Sequence, residues 1–206
     1  MSRRVCAHCG FPMRVCLCAE LVSVMSQTRV WVLQHPSEVE HGKNSARLLP
    51  LLLPAAEIFV GESEADFSAL RDRLVAERLK PVLVYPSEQE SQAFTDSDTD
   101  DRRVLLLLDG TWRKALKMYH LNPWLQQLPH LSLQPGKPSA YLIRKASRAD
   151  SLSTLEAAAE ALSILEPSLD VTPLHTVFAA MVRRRIDAMP AEVRKRYGLD
   201  ESNRFD

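Results

Sequence analysis

The strongest constraint on the fold is the segment 103–108 (RVLLLL), in which five consecutive apolar residues follow Arg103 and Asp109 comes directly after them. A strand with one face in water alternates apolar and polar residues, and this run does not alternate. Continuous apolar strands are typical of parallel sheets that helices cover on both faces. We therefore predict that residues 103–108 form a central strand of an α/β domain.

The rest of the chain supports this fold class, because strand-like and helix-like segments alternate along it. Predicted strands cover residues 28–34, 57–60, 81–85, 130–133 and 140–143, and predicted helices cover 41–53, 64–79, 111–119, 153–165 and 172–189. Ser153 and Glu156 form a capping-box pattern at the start of one helix. Thr172 is predicted to cap another. We expect a mostly parallel sheet with helices on both faces.

All four cysteines of the 206-residue chain lie within its first eighteen residues, at Cys6, Cys9, Cys16 and Cys18. Close cysteine pairs in a reducing compartment more often bind metal than form disulfides. Four thiolates complete a tetrahedral Zn²⁺ site with no open position, which indicates a structural role. His8 is an alternative fourth ligand. We expect a small zinc knuckle at residues 1–22 and one domain at residues 23–206.

Several classes of protein are excluded by what the sequence lacks. The six glycines stand too far apart for a dinucleotide fingerprint or a P-loop. The sequence contains no run of 18 apolar residues, so no membrane span is predicted. The basic start leads into the cysteines without an apolar segment, so no signal peptide is predicted and we expect a cytoplasmic protein.

The net charge of zero conceals an uneven distribution. Residues 86–101 carry six acids and no base, which leaves the remainder of the chain at +6. Residues 110–150 carry seven bases and one acid and are also at +6. Solvated surface charge explains such runs most simply, but a face that binds polyanions is the alternative.

The junction after the central strand, Asp109-Gly110-Thr111-Trp112, is where we expect chemistry. Ligands of open α/β sheets bind beyond the carboxyl ends of the strands. Asp109 offers a carboxylate there, Gly110 permits close approach, and Trp112 can stack on a ring. The alternative is purely structural, with Asp109 or Thr111 capping a helix and Trp112 in the core.

This string resembles the Asp-x-Thr-Trp motif of the DTW-domain family, and other segments resemble that family in the same order. They span residues 6–185 and are HPSE at 35–38, KNSARLL at 43–49, YLIRKA at 141–146 and LSTLEA at 152–157, with the cysteine cluster before them. The resemblance implies a SPOUT-like knotted core. It also implies transfer of the 3-amino-3-carboxypropyl group of S-adenosyl-L-methionine to N3 of a tRNA uridine. The products are acp3U, expected in the variable loop, and 5′-methylthioadenosine.

Site residues follow from the motifs and the resemblance. Asp109 is the candidate catalytic base for the N3 proton, or alternatively binds the cofactor's amino group. Candidate cofactor-binding residues are Gly110, Thr111, Trp112, Ser151, Leu152, Ser153 and Thr154. Candidate tRNA-binding residues are Lys43, Arg47, Arg113, Lys114, Arg144 and Lys145. We expect a monomer.

Two other functions stay open at this point. A SPOUT-type RNA methyltransferase would use the same cofactor but release a different product. A zinc-dependent RNA-binding module without enzymatic activity would not bind the cofactor at all.

Overall fold

A computed structural model describes residues 4–42, 44–86, 102–133 and 152–196 of the chain. The strands in this part are β1 (Arg29–Gln34), β2 (Ala56–Val60), β3 (Lys80–Val84), β4 (Arg103–Asp109) and β5 (His130–Leu131). They form one sheet in the order β2-β1-β4-β3-β5, and all paired strands are parallel. The apolar run is β4, the middle strand, so its predicted central position is confirmed.

Along the described part of the chain, helices lie between most of these strands and after the last one. They are α1 (Leu49–Leu52), α2 (Ser68–Ala76), α3 (Trp112–Leu121), α4 (Thr154–Leu165), α5 (Thr172–Asp187) and α6 (Ala191–Arg196). Short 3₁₀ segments lie at Met13–Val15, Cys18–Glu20, Pro36–Glu38, Ala46–Leu48 and Pro123–Gln127. None of the helices in these ranges is long and apolar enough to cross a bilayer.

Two hydrophobic clusters cover the two faces of the sheet. Val30 and Val32 of β1 pack in the cluster that contains α4 and α5. Trp31 and Leu33, which alternate with them, pack in the cluster that contains residues of α2 and α3. This alternation follows from the two-residue period of a strand. The predicted parallel sheet with helices on both faces is therefore confirmed for the described residues.

Helix starts agree with the sequence in one case and differ in another. At α4 the Ser153 hydroxyl accepts from the Glu156 amide (3.2 Å), and the Glu156 carboxylate accepts from the Ser153 amide (2.8 Å). The predicted capping box is thus confirmed. At α5 the prediction is wrong, because Thr172 is already helical and Val171 is the capping residue, without a side-chain cap.

Two predicted helices are shorter than expected for local reasons. Only residues 46–52 of the predicted helix 41–53 are helical, because the Asn44 side chain donates to the Glu38 carbonyl and accepts from the Arg47 amide. Only residues 68–76 of the helix predicted at 64–79 are helical. Before residue 68, Asp66 accepts from the Ser63 amide and forms a turn that competes with the helix.

The helix α6 was not predicted. The strand predicted at 140–143 and the acidic residues 87–101 lie outside the described residues.

The N-terminal segment packs directly onto the domain. Phe11 and Leu17 are fully buried in the cluster that contains α4 and α5. Arg47 donates to the Gly10 carbonyl and lies over the Phe11 ring at 4.2 Å, and Arg184 of α5 pairs with Glu20. Gly10 has a φ of +69°, and an added Cβ would lie 2.5 Å from the Arg47 guanidinium. Only glycine fits this turn without strain.

Candidate active site

The Asp109 carboxylate is the centre of a buried polar group at the carboxyl edge of the sheet. Asp109 is 9% exposed. Its Oδ2 accepts from Gln34 Nε2 at 2.7 Å, and its Oδ1 accepts from the Thr154 hydroxyl. Both oxygens are therefore oriented by hydrogen bonds. A carboxylate held in this way can accept a proton or bind an ammonium group.

Strand register brings these three residues together. Gln34 ends β1 and lies opposite Asp109, which ends β4. In β4, Leu105 and Leu107 face the cluster with α4, so the alternation directs Asp109 to the same side. Thr154 is the first residue of α4. Two segments that are 45 residues apart in the sequence, both predicted as parts of the site, thus meet at one carboxylate.

Gly110 allows the chain to leave β4 closely packed. A Cβ at this position would lie 3.1 Å from Lys114 Cβ and 3.6 Å from His35 Cβ. Thr111 then occupies the cap position of α3 and makes no side-chain cap bond. The structure thus supports the predicted close approach at Gly110, made here by the protein's own segments.

A second polar group lines the same edge beside Asp109. His35 donates its amide to the Asp109 carbonyl (2.9 Å), and its ring contacts Ser37 (2.8 Å) and Glu62 (3.1 Å). Glu62 also pairs with Lys117 of α3 at 2.9 Å. The hydrogen bond from Lys117, helped by that from His35, lowers the pKa of Glu62 despite partial burial. These contacts hold the loop after β1 against α3.

An aromatic row, defined as Tyr119, Tyr85 and Trp112, lies on the opposite side of the edge from α4. Tyr85 follows β3 directly and stacks on Tyr119 of α3, with ring centroids 4.3 Å apart and planes 6° apart. Trp112 stacks on Tyr85 at 6.1 Å and 4°. Tyr85 and Tyr119 pack against the cluster with α2 and α3, whereas Trp112 is 50% exposed.

The structure describes three of the predicted tRNA-binding residues, and these three do not lie together. Arg113 is exposed on α3. Lys114 contacts Ser37 and pairs with Glu38 at 3.0 Å. Arg47 is directed to Gly10 and Phe11 at the N-terminal segment. The predicted residues Lys43, Arg144, Lys145 and Ser151 lie outside the described residues.

The four cysteines form one cluster. Their sulfur atoms all lie within 4.8 Å of one another, with Cys6 and Cys18 at 3.5 Å and Cys9 and Cys16 at 3.7 Å. Tetrahedral Zn²⁺ with Zn–S bonds of about 2.3 Å separates its sulfurs by about 3.8 Å. The donor set and its spacing therefore fit this ion, and His8 is not part of the cluster.

Ionisation within the cluster is uneven. Backbone hydrogen bonds from Cys9 and His8 lower the pKa of the Cys6 thiol to about 6. Hydrogen bonds with Cys16 and Cys6 raise the pKa of the Cys18 thiol to about 12. Arg47, beside Cys9, has its own pKa lowered by burial. A positive ion among the sulfurs would favour the thiolate form of the cysteines that bind it.

Sequence reasoning did not identify three residues of this edge: Gln34, Tyr85 and Tyr119. Gln34 and Tyr85 each stand at the end of an apolar strand, which is a signal for a residue at the ligand-binding edge. Tyr119 lies seven residues after Trp112, on the same face of the helix. Their convergence depends on the strand order, which no local pattern contains.

Comparisons with known proteins agree with the motifs. A family model described as the DTW domain matches residues 3–186. The tRNA-uridine aminocarboxypropyltransferase 2 of Drosophila melanogaster is 32% identical over 188 residues, which cover 85% of this chain and 74% of that protein. Proteins of the same name from Macaca fascicularis and Mus musculus are 30% and 28% identical over 80% of this chain. The match covers 57% of the length of each of these two relatives. No solved structure matches the chain.

Proposed function

The chain belongs to the DTW domain family, and from this premise we propose that it is a tRNA-uridine aminocarboxypropyltransferase. It transfers the 3-amino-3-carboxypropyl group of S-adenosyl-L-methionine to N3 of a uridine in the variable loop of tRNA. The products are acp3U and 5′-methylthioadenosine. The names of the similar proteins support the reaction class.

One observation in the structure carries the proposal: the hydrogen bond from Thr154 to the Asp109 carboxylate. It joins the Asp-Gly-Thr-Trp motif to the Leu-Ser-Thr segment, the two parts of the sequence that family resemblance assigns to the site. The two parts meet at the carboxyl edge of a parallel sheet, and this edge is where α/β folds bind ligands.

Asp109 has the chemistry that the acceptor needs. N3 of uridine carries a proton and is a weak nucleophile until that proton leaves. In the proposed reaction Asp109 takes this proton while the new N–C bond forms. Gln34 and Thr154 hold the two carboxylate oxygens in position, so the base does not have to reorganise. Binding of the cofactor's amino group is the other role open to Asp109.

The residues around Asp109 fit S-adenosyl-L-methionine. Gly110, Thr111 and residues 152–154 hold the cofactor on the side of the sheet where α4 lies, and Ser151, which lies outside the described residues, is assigned the same role. The amino end of α4 supplies amide groups and a favourable dipole for a carboxylate. When bound, the cofactor supplies a carbon that is activated by the adjacent sulfonium, and the electrons of the broken carbon–sulfur bond stay on the departing sulfur.

The N-terminal segment is proposed as a zinc knuckle, with Cys6, Cys9, Cys16 and Cys18 as ligands. Because its apolar residues are part of the core, its role in this proposal is structural. The division at residue 22, the knotted SPOUT-like core, the monomeric state and the cytoplasmic location stay predictions. Arg113, Lys114 and the basic residues outside the described part are proposed to contact tRNA phosphates.

Incubation of the purified protein with cofactor and an unmodified tRNA transcript tests the proposal. Nucleoside mass spectrometry is expected to show acp3U, with one 5′-methylthioadenosine released per modification. Methylated uridine with S-adenosylhomocysteine would identify a methyltransferase instead. If calorimetry detects no binding of the cofactor while tRNA binding is retained, the protein is a non-enzymatic RNA-binding module. A reaction without S-adenosyl-L-methionine is the negative control.

A further inference from the structure

The aromatic row of Tyr119, Tyr85 and Trp112 is arranged as a platform with one open end. Tyr85 and Tyr119 are fixed because they pack on the hydrophobic cluster beneath them. Trp112 continues their stack, its plane nearly parallel to that of Tyr85, and half of its surface faces solvent. Within the described residues, Tyr85 is the one ring that stacks on Trp112. A single exposed aromatic side chain is unremarkable, but this one is held in orientation by a stack.

The row lies beside the catalytic edge but apart from the proposed cofactor segment. Trp112 is three residues beyond Asp109, and Tyr85 follows the strand next to β4. Thr154 and α4 pack on one face of the sheet, whereas the row belongs to the face covered by α2 and α3. Asp109 therefore stands between a cofactor side and an aromatic side.

The helix α3, which carries Trp112 and Tyr119, is basic. The segment Trp112–Leu121 (WRKALKMYHL) contains Arg113, Lys114 and Lys117 and no acid. Lys117 keeps 61% of its side chain exposed although it pairs with Glu62. Stacked aromatic rings next to cations are the means by which proteins bind unpaired bases and the phosphates between them.

We propose that the aromatic row is a stacking platform for a nucleobase of single-stranded RNA, which lies on the outer face of Trp112. The inference rests on the proposed function for the identity of the RNA as a tRNA loop. It assigns Trp112 to the RNA, with the cofactor on the opposite side of Asp109. Tyr85 is a positioning residue, since it orients Trp112.

Tryptophan fluorescence tests the platform without any turnover. In a Trp124→Phe background the remaining tryptophans are Trp112 and Trp31, and Trp31 is fully buried. An unmodified tRNA transcript and a uridine-rich single-stranded RNA are each expected to quench the emission of Trp112. Inorganic polyphosphate, which has the charge but no bases, is expected to bind without quenching. Quenching by S-adenosyl-L-methionine alone would place the cofactor's adenine on Trp112 and overturn the proposal.

Affinity measurements supply the second arm. Trp112→Leu is expected to weaken RNA binding about 5- to 140-fold, equivalent to about 1–3 kcal/mol per stacked base. Trp112→Phe keeps a ring and is expected to restore most of the affinity. Cofactor affinity should not change in either variant. The matched control is Trp124→Leu, because Trp124 is a partly exposed tryptophan that lies beside Arg71 and is not part of the aromatic row.

The two proposals fail separately. RNA quenching of Trp112 with no acp3U formed would leave the platform intact and overturn the reaction. Formation of acp3U, together with unchanged RNA affinity in Trp112→Leu, would overturn the platform and leave the reaction intact.

Discussion

At the scale of single residues, the chemistry depends on how Asp109 is held. Two neutral donors, the Gln34 amide and the Thr154 hydroxyl, orient its oxygens without supplying a positive charge. A carboxylate oriented in this way can interact with one group from the substrates. A proton from uridine or the ammonium of the cofactor can be that group, and the two roles make different predictions.

The substitution Asp109→Asn separates the two roles. It removes the charge and the base at nearly constant volume, and Gln34 can turn its amide to pair with the new side chain. If Asp109 is the base, the chemical step slows by roughly two to four orders of magnitude while cofactor affinity is kept. If Asp109 binds the ammonium, cofactor affinity falls and saturating cofactor restores much of the rate. Cofactor titration and single-turnover kinetics on the same variant measure both quantities, and a variant normal in both would leave Asp109 a structural residue.

Thr154 gives a second prediction for the same carboxylate. Thr154→Val removes the hydroxyl but keeps the shape, so Oδ1 of Asp109 loses the hydrogen bond from Thr154. We expect a lower single-turnover rate with the fold intact, because the loss of one hydrogen bond to a charged group costs about 1.5–3 kcal/mol. Thr154→Ser keeps the donor and should restore the rate. Equal rates in the two variants would contradict the positioning role.

At the scale of helices and strands, prediction from sequence succeeds where the signal is local. The capping box at Ser153 and the apolar run of β4 each determine their element through neighbouring residues. The predicted starts of helices at residues 41 and 64 are wrong because the Asn44 and Asp66 side chains bond backbone groups instead. A few hydrogen bonds decide this competition, and hydrophobic periodicity carries no information about them.

For the candidate site too, local motifs identified some residues, whereas residues that depend on strand order were missed. Asp109, Gly110 and Thr154 were identified from motifs, and the structure places them at one edge. Gln34 was missed, because only the pairing of β1 with β4 brings it to Asp109. The sequence shows that each strand exists, but the strand order is set by packing between distant segments.

Glu166, the residue after α4, provides a prediction at this scale. Its buried carboxylate accepts from the Ser26 hydroxyl (2.7 Å) and from the amides of Gln27 (3.1 Å) and Thr28 (2.7 Å), which ties α4 to the start of β1. Burial raises the pKa of Glu166, but these hydrogen bonds together outweigh it and lower the pKa below its usual 4.5. The ionised carboxylate therefore stabilises the fold above about pH 4.5, and that contribution is lost as the pH falls through the lowered pKa.

Glu166→Gln should reduce the free energy of unfolding at pH 7 by about 1–3 kcal/mol, because a neutral amide cannot accept all these bonds. The difference from the wild type should shrink as the pH falls below about 4.5. Urea unfolding followed by circular dichroism at several pH values measures it. Glu160→Gln on the exposed side of α4 is the control and should change little. A constant difference at all pH values would show that ionisation of Glu166 is not involved.

At the scale of the whole molecule, the proposed function requires a chain of zero net charge to bind a polyanion. The excess of bases in residues 110–150 offers a local basic surface, of which α3 is the described part. Affinity for tRNA should fall steeply with salt, because binding releases cations from the RNA. Arg113→Ala should reduce the slope of log K against log salt by roughly one unit. Lys80→Ala, at the amino end of β3, should not change it, and equal slopes in wild type and Arg113→Ala would exclude Arg113 from the interface.

The cysteine cluster also acts at the scale of the whole molecule, because it is not an independent appendage. Cys9 is 3% exposed, and Phe11 and Leu17 beside the cluster are buried with residues of α4 and α5. Arg47 and Arg184 join the segment to the domain from two sides. If Zn²⁺ holds the four sulfurs together, its removal should disturb the core that positions α4, and through α4 the contact of Thr154 with Asp109.

Cys9→Ser is therefore expected to abolish stoichiometric zinc and to lower the free energy of unfolding, because the free energy of metal binding contributes to folding. Treatment with a chelator should produce the same loss in the wild type, and added Zn²⁺ should reverse it. His8→Ala is the matched control, since His8 is exposed and lies outside the cluster. Elemental analysis gives the zinc content and thermal unfolding gives the stability. Zinc-free protein with unchanged stability would show that the four thiols need no metal, and zinc loss in His8→Ala would replace one cysteine by His8 as a ligand.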